Sequence, residues 1–398
     1  MKFGAALSIE KNWPDAVTDL AGQVRADFGA EKTDLGLLFV HPDFIPELGD
    51  DIRLLQQATG ARHIVGCTGA GIIGGEHEIE KRPAISLLMA QLPGVEIAPF
   101  HITGAEIDQS NGPDYWHFQL EVEPDAKPNF VVLMDPFTLQ PVTRLLDELT
   151  QAFPGSPMVG GLASGAREPG ENRLFIDGDV FDEGAVGVAL SGNVTLQTIV
   201  SQGCRPVGEP FVITRADQNI IFELGGQRAT DVLDGLLPKL TTRDQQLARN
   251  ALFLGRVIDE YKEDFTRGDF LIRQLIGGDR GSGALAIGDW IRTGQTVQFQ
   301  VRDGKTADED LTALLEQYRG SSKKQTPRGA VMFSCLGRGE GMYGAPNHDI
   351  AALHQHLGPV PTAGFFCNGE IGPVGARPFV HGFTSVIGLF SEPSPAAK

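Results

Sequence analysis

The sequence predicts a mixed α/β (α+β) protein built from repeated β-α-β(-β-β) units that form mixed sheets in two halves. Three observations carry this. One pattern of strand, helix, strand and G-x4-G turn is written three times. In the first two copies it is followed by two further apolar runs separated by a turn signal. Between the second and third copies lies a stretch of short alternating strands with few helical signals. A fixed element order at near-fixed spacing is an internal-repeat signal and decides architecture before any single residue does.

The elements follow in chain order. Phe3 to Ile9 reads as an opening strand. The first copy has LGLLFV (Leu35 to Val40), a helical stretch around Pro46 to Ala58, and HIVGCTGAG (His63 to Gly71). PAISLLMAQL (Pro83 to Leu92) and VEIAPFHI (Val95 to Ile102) then flank Pro93-Gly94 and read as a hairpin. The second copy has FVVLMD (Phe130 to Asp135), a helix around Leu139 to Ala152, and PMVGGLASG (Pro157 to Gly165). EGAVGVALSG and VTLQTIVSQG, turning at Gly192-Asn193, read as its hairpin. The third copy has AVMFSC (Ala330 to Cys335), a helix around Asn347 to Leu357, TAGFFCNGEIG (Thr362 to Gly372) and one later strand, Phe379 to Phe390. From Val40 to Gly66, Asp135 to Gly160 and Cys335 to Gly364 the interval is 26, 25 and 29 residues. The tail SEPSPAAK reads as disordered.

CRPVGEP (Cys204 to Pro210) divides the chain into halves, 1–205 and 206–398. The second half opens with strands at Glu209 to Gly226, Ala251 to Asp259, Phe270 to Asp279, Gly283 to Asp289 and Thr296 to Gly304, and a helix at Arg228 to Leu240. Short turns between such strands predict an antiparallel sheet. Asp308 to Arg319 reads as a helix leading into the third copy.

Composition narrows the function classes. At 41% hydrophobic and 21% charged, the chain has the make-up of a soluble globular protein. No run approaches the about 18 apolar residues that span a bilayer, and the N-terminus lacks a signal-peptide pattern. These predict a cytoplasmic protein, with no membrane partner and four reduced cysteines. The net charge of −18 opposes binding to phosphate backbones, so nucleic acid is not an expected partner. The basic cluster Lys323, Lys324 and Arg328 reads as a solvated loop.

The Gly-rich turns match neither the Walker A loop nor the dinucleotide fingerprint. There is no G-x-S-x-G elbow, C-x2-C or H-E-x-x-H, so neither a cofactor nor a metal is expected. Recurrence in every unit makes a purely structural role sufficient for at least two of the turns. A glycine there permits φ > 0 or a close backbone approach. The copies differ in what they carry. The first offers Cys67 and Thr68, the second Ser164 and Arg167, and the third Cys367, Asn368, Gly369 and Glu370. SCLGRGEGMYG, at the end of the partner strand, adds Cys335, Gly337, Arg338, Gly339, Glu340 and Tyr343. Loops at neighbouring strand ends meet at one sheet edge, where pockets form. A guanidinium and a carboxylate suit a zwitterion such as an amino acid; equally, Arg338 and Glu370 could pair with each other or with water. Cys335 and Cys367 could be nucleophiles, but at the apolar end of a strand cysteine behaves as a small hydrophobe. Of Phe365 and Phe366, alternation sends one to the core and leaves the other to line a pocket.

HIVGCTGAGII, GCRPVGEPFVIT, GAVMFSCLGRGEGMYG and GFFCNGEIGPV resemble the FIST domain (F-box and intracellular signal transduction proteins) in its N-terminal and C-terminal parts. The resemblance runs from about Asp34 to about Phe390. In the first turn the family's acidic residue after the last glycine is replaced by Ile72. The resemblance implies a sensory module that binds a small ligand, amino acids among the candidates, and passes its signal to another protein. It supports a ligand role for Arg338, Asn368 and Glu370 and supplies no catalytic residue. The expected site comprises Cys335, Gly337, Arg338, Gly339, Cys367, Asn368, Gly369 and Glu370, with Arg338 holding a carboxylate and Glu370 an ammonium. A thiol-dependent enzyme and a protein-recruiting adaptor remain as alternatives.

Overall fold

The computed structural model describes residues 1–48, 51–139, 141–249, 251–321, 325–375 and 377–393. Lys323, Lys324 and the tail from Ser394 onward lie outside the described residues. The chain forms two compact units. One comprises 1–200, 312–380 and 384–398; the other comprises 201–311 and 381–383. The third repeat thus groups with the first two, and the antiparallel segment forms the second unit.

In the first unit each repeat supplies a parallel strand pair at the centre of its own six-stranded sheet. These pairs are Thr33–Val40 with Ala61–Thr68, Asn129–Met134 with Met158–Leu162, and Gly329–Cys335 with Thr362–Cys367. Joining the strands of each pair are the helices Asp51–Thr59, Thr143–Ala152 and His348–Leu357. Each β-α-β passage is the crossover a parallel pair requires. An antiparallel strand flanks each pair, namely Ile85–Gln91, Ala185–Gly192 and Ser385–Ser391.

The two expected hairpins do not form. Ile85–Gln91 lies in the first sheet and Val95–Ile102 in the second, where it pairs with Ala185–Gly192. Thr195–Ser201 likewise leaves the second sheet for the edge of the third. Pro93-Gly94 and Gly192-Asn193 do turn the chain, but the following strand moves to a new sheet. The third copy also ends in two strands, Arg377–His381 and Ser385–Ser391, rather than one.

Short hairpins that the sequence reading missed complete the sheets by cyclic exchange. Gly71–Gly74 and His77–Glu80, after the first repeat, extend the third sheet through Thr362–Cys367. Leu174–Ile176 and Asp179–Phe181, after the second, extend the first sheet. Glu370–Val374 and Arg377–His381, after the third, extend the second.

Side-chain alternation sorts the layers. Leu35, Leu37, Phe39, Val131, Leu133, Val331, Phe333 and Phe365 point to one core shared by the three sheets. Phe39 stacks on Phe365 at 5.2 Å, and Phe333 meets both edge-on. The alternate residues Leu38, Val40, Phe130, Val132 and Met134 face outward onto helices. The first glycine of each G-x4-G lies inside its strand, not after it. A Cβ on Gly66, Gly160 or Gly364 would land on the carbonyl oxygen of Leu38, Val132 or Met332, the residue opposite in the parallel register. These glycines therefore serve close backbone approach.

The second unit is an antiparallel sheet. Thr296–Arg302 pairs with Phe211–Asp217 on one side and Leu252–Val257 on the other, so the sheet closes on itself. Ile213, Ile221, Leu254, Leu285, Val297 and Phe299 fill it, and Val232 and Leu236 of the helix Ala229–Leu236 join that core.

Candidate functional site

The structure brings the three G-x4-G loops together in the first unit. Ser164 Oγ accepts from the Ala70 amide at 2.9 Å and donates to the Phe366 carbonyl at 2.5 Å. The Asn368 amide donates to the Leu162 carbonyl, and the Leu162 amide to that of Gly369. Ser164 thus serves as a buried staple between loops. The strand-end loop after Cys335 lies beside the third turn, with the Leu336 amide donating to the Cys367 carbonyl at 3.1 Å. All eight residues singled out in the sequence belong to these two adjacent loops.

Their environments differ. Gly337 and Asn368 are exposed and Cys335 is half-buried. Cys367 is enclosed in the shared core, and burial pushes its thiol well above the ordinary value. This opposes thiolate chemistry there. Phe365 and Phe366 are both buried, because the hairpin from the first repeat covers the outer side, where a Cβ on Gly71 would meet the Phe366 ring. Glu370 is fully buried, and its Oε2 accepts from the Thr384 amide at 3.1 Å.

Arg338 is 1% exposed and anchors a polar cluster. Its Nε donates to Asp349 Oδ2 at 2.7 Å and its Nη2 to Asp349 Oδ1 at 3.0 Å, a bidentate fork. Nη2 also donates to the Tyr343 hydroxyl at 2.6 Å. Ser334, the outward-facing residue before Cys335, donates to Asp349 Oδ2 at 3.1 Å. His348 Nδ1 lies 3.1 Å from Asp349 Oδ1, and its ring stacks on Tyr343 with centroids 3.4 Å apart. From the exchanged hairpin comes Glu78, 5% exposed, whose Oε1 accepts from the Ile350 amide at 2.9 Å. Two buried atoms in the cluster, Arg338 Nη1 and Glu78 Oε2, have no hydrogen-bond partner among the described residues.

The electrostatics follow from burial and pairing. Burial works against charge on both Arg338 and Asp349, but their mutual attraction outweighs it. The guanidinium is held above its ordinary value and the carboxyl of Asp349 below its own. Burial pushes Glu78 up to about 7, with Asp349 adding to the push and the Ile350 amide, Arg338 and His348 opposing it. Tyr343 is likewise raised, first by burial. The sequence reading missed Glu78 and Asp349 as members of this cluster. Asp349 resembles the acidic residue common in a helix first turn, and Glu78 lies in a polar run, GGEHEIE.

Among the described residues no three His, Cys, Asp or Glu side chains are grouped to hold a metal. No described helix is long and apolar enough to cross a membrane. A groove of about 470 Å³ lined by Glu96, Gln119, Glu121 and Glu123 shares no residue with the two loops.

The FIST N domain matches residues 34–227 and the FIST C domain residues 229–373. The chain belongs to the FIST family, a family of sensory and signal-transduction domains that bind small ligands. The uncharacterised protein MT0656 of Mycobacterium tuberculosis is 35% identical over 403 residues, covering 98% of this chain and 100% of that protein. The uncharacterised protein Mb0898c of Mycobacterium bovis is 34% identical over 407 residues, covering 98% and 99%. An F-box/LRR-repeat protein of Arabidopsis thaliana, At5g63520, is 29% identical over 139 residues, which are 31% of this chain and 26% of that protein. Among solved structures, a cyanuric acid hydrolase from A. caulinodans aligns with a TM-score of 0.34 at 11% identity, covering 97% of this chain and 99% of that one. Similarity at that level transfers no chemistry.

Proposed function

We propose that this protein is a cytoplasmic sensor for a small carboxylate-bearing ligand of the amino-acid class, taken up at the paired loops Cys335–Gly339 and Cys367–Glu370. The observation that carries the reading is Arg338, a buried guanidinium next to the exposed Leu336 and Gly337, whose Nη1 has no hydrogen-bond partner among the described residues. Arginine is suited to planar recognition of carboxylates, and a buried donor without a partner costs about 1–3 kcal/mol that a ligand oxygen would recover. Gly337, Gly339 and Gly369 allow backbone to approach the ligand, and Asn368 supplies both a donor and an acceptor at the rim. Glu370 holds the second loop through Thr384. The signal passes to a separate downstream protein.

The test is a thermal-shift screen with small carboxylic acids and amino acids on the wild type, Arg338→Gln and Asn368→Ala. A true ligand at a hundredfold excess over its Kd adds about 2.7 kcal/mol of stability. The expected result is a shift in the wild type, a smaller one in Asn368→Ala and none in Arg338→Gln. Equal shifts in wild type and Arg338→Gln would remove Arg338 from the site.

A further inference from the structure

We propose that Glu78, carried into the third sheet by the first repeat's hairpin, is the ammonium-binding residue of this site, so that the ligand is selected as a zwitterion. The inference rests on the function proposed for Arg338. Glu78 is 260 positions before Arg338 in the chain, yet both side chains are buried and both interact with Asp349, next to the strap formed by residues 339–344. Two hydrogen bonds between backbone and side chain fix the hairpin to the third repeat's crossover helix. The Glu78 amide donates to Asn347 Oδ1 at 2.7 Å, and Glu78 Oε1 takes the Ile350 amide.

The charges are unequally matched. Asp349 is served by Arg338, His348 and Ser334. One oxygen of the Glu78 carboxylate accepts from the Ile350 amide, and the other has no hydrogen-bond partner among the described residues. Arg338 Nη1 and Glu78 Oε2, which lack hydrogen-bond partners among the described residues, are the complements of a carboxylate and an ammonium. A simple carboxylic acid would satisfy the first and leave the second buried and bare, which is costly. A molecule bearing both charges satisfies both.

The strap gives a way in. Its single helical turn, Glu340–Tyr343, is flanked by Gly339 at φ 73° and Gly344 at φ 74°, both in the left-handed region that glycine tolerates. Its described ties run to Arg338, His348 and the exchanged hairpin. The Tyr343 hydroxyl accepts from Arg338, the Tyr343 ring lies on His348, and the Glu340 amide donates to Glu80 Oε1 at 2.8 Å. Glu80 comes from the same exchanged hairpin, so that hairpin supplies both a wall of the site and an anchor of its cover.

The experiment is calorimetry at about pH 8, where Glu78 is ionised, on the full chain and on Glu78→Gln, Glu78→Asp and Arg338→Gln. The probes are glycine, which carries both charges, acetate and methylamine. A charge-assisted hydrogen bond is strong enough that Glu78→Gln should weaken glycine about 10- to 100-fold while leaving acetate unchanged. Glu78→Asp keeps the charge and should fall between. Glycine binding equally well to the wild type and both Glu78 variants overturns the inference. If that binding is nonetheless lost in Arg338→Gln, the carboxylate site stands without Glu78. If acetate weakens together with glycine in Glu78→Gln, Glu78 shapes the site rather than reading the ammonium, and the inference also fails. No binding of any probe to the wild type overturns both readings.

Discussion

The first and third repeats share a backbone and differ in chemistry. Gly66 and Gly364 sit at the same register position against Leu38 and Met332, and Phe39 and Phe333 occupy equivalent places in the shared core. Two residues past each of Leu38 and Met332 the copies part. Val40 packs outward with Ile52 and Leu55 of its crossover helix in an apolar cluster. Ser334, at the matching position, instead bonds to Asp349 of its own crossover helix, beside the buried Arg338. The repeat therefore supplies a scaffold, and one copy has given up part of an apolar helix–sheet contact for an ionic one. Buried ion pairs are weak evidence for stability, since apolar packing usually does as well. Among the described residues of the first and third repeats, only the third carries such a buried pair, and that difference points to function.

The comparison can be sharpened by experiment, beginning with the largest effect. Asp349→Ala leaves Arg338 buried without its carboxylate and is expected to destabilise the fold by about 3–5 kcal/mol. Replacing the pair together, Arg338→Met with Asp349→Leu, should recover most of that loss in chemical denaturation. If the single and double variants are equally unstable, the cost is not one of stranded charge.

Gly66→Ala and Gly364→Ala test the opposite claim, that the scaffold is common. Each added methyl meets a backbone oxygen that cannot step aside, so each should cost about 3 kcal/mol, at the upper end of ordinary overpacking. A large loss at one glycine and none at the other would break the equivalence of the two repeats.

The smallest effect is one of pH. The native carboxyl of Glu78 titrates at about 7, raised by burial and by Asp349, with Arg338, His348 and Tyr343 also facing it. The native state therefore holds a proton that the unfolded chain releases near the ordinary glutamate value. The resulting stabilisation is fully present below that value and is lost as pH rises through about 7. Between about pH 5 and 7 the loss amounts to about 2 kcal/mol. Asp349, shifted the other way, contributes stability at neutral pH and loses it only in acid. Denaturation of Glu78→Gln across this range should show a flatter profile than the wild type. An unchanged slope would mean that Glu78 ionises freely.

Much of the scaffold was legible because its signals are local. The three parallel pairs, their crossover helices and the strands of the second unit follow from runs of apolar residues and from turn glycines. The helix Trp13–Phe28 was missed although its signals are present. Asn12 caps it, Pro14 stands in its first turn, and Trp13, Ala16, Leu20, Val24 and Phe28 form its buried stripe. The short hairpin Leu174–Phe181 also carried a turn signal, Asp177-Gly178, with both residues at positive φ. The destination of each strand was not legible. Pro93-Gly94 specifies that the chain turns, not that Val95–Ile102 joins another sheet, because that choice is made by partners far away in sequence. The site divided the same way. Arg338 stands out among glycines, whereas Asp349 and Glu78 gain their meaning only when a helix and a remote hairpin close over it.

The exchange of hairpins also sets the order in which the molecule can be made. Glu78 emerges from the ribosome early, but its amide finds its acceptor on Asn347, 269 positions later. The third sheet cannot be completed until nearly the whole chain has been synthesised, and no repeat can finish its own sheet from its own residues. Long-range pairing of this kind folds slowly and leaves strand edges open meanwhile. During synthesis the nascent chain therefore carries an unclosed ring, and the residues proposed to read the ligand are assembled only when that ring closes.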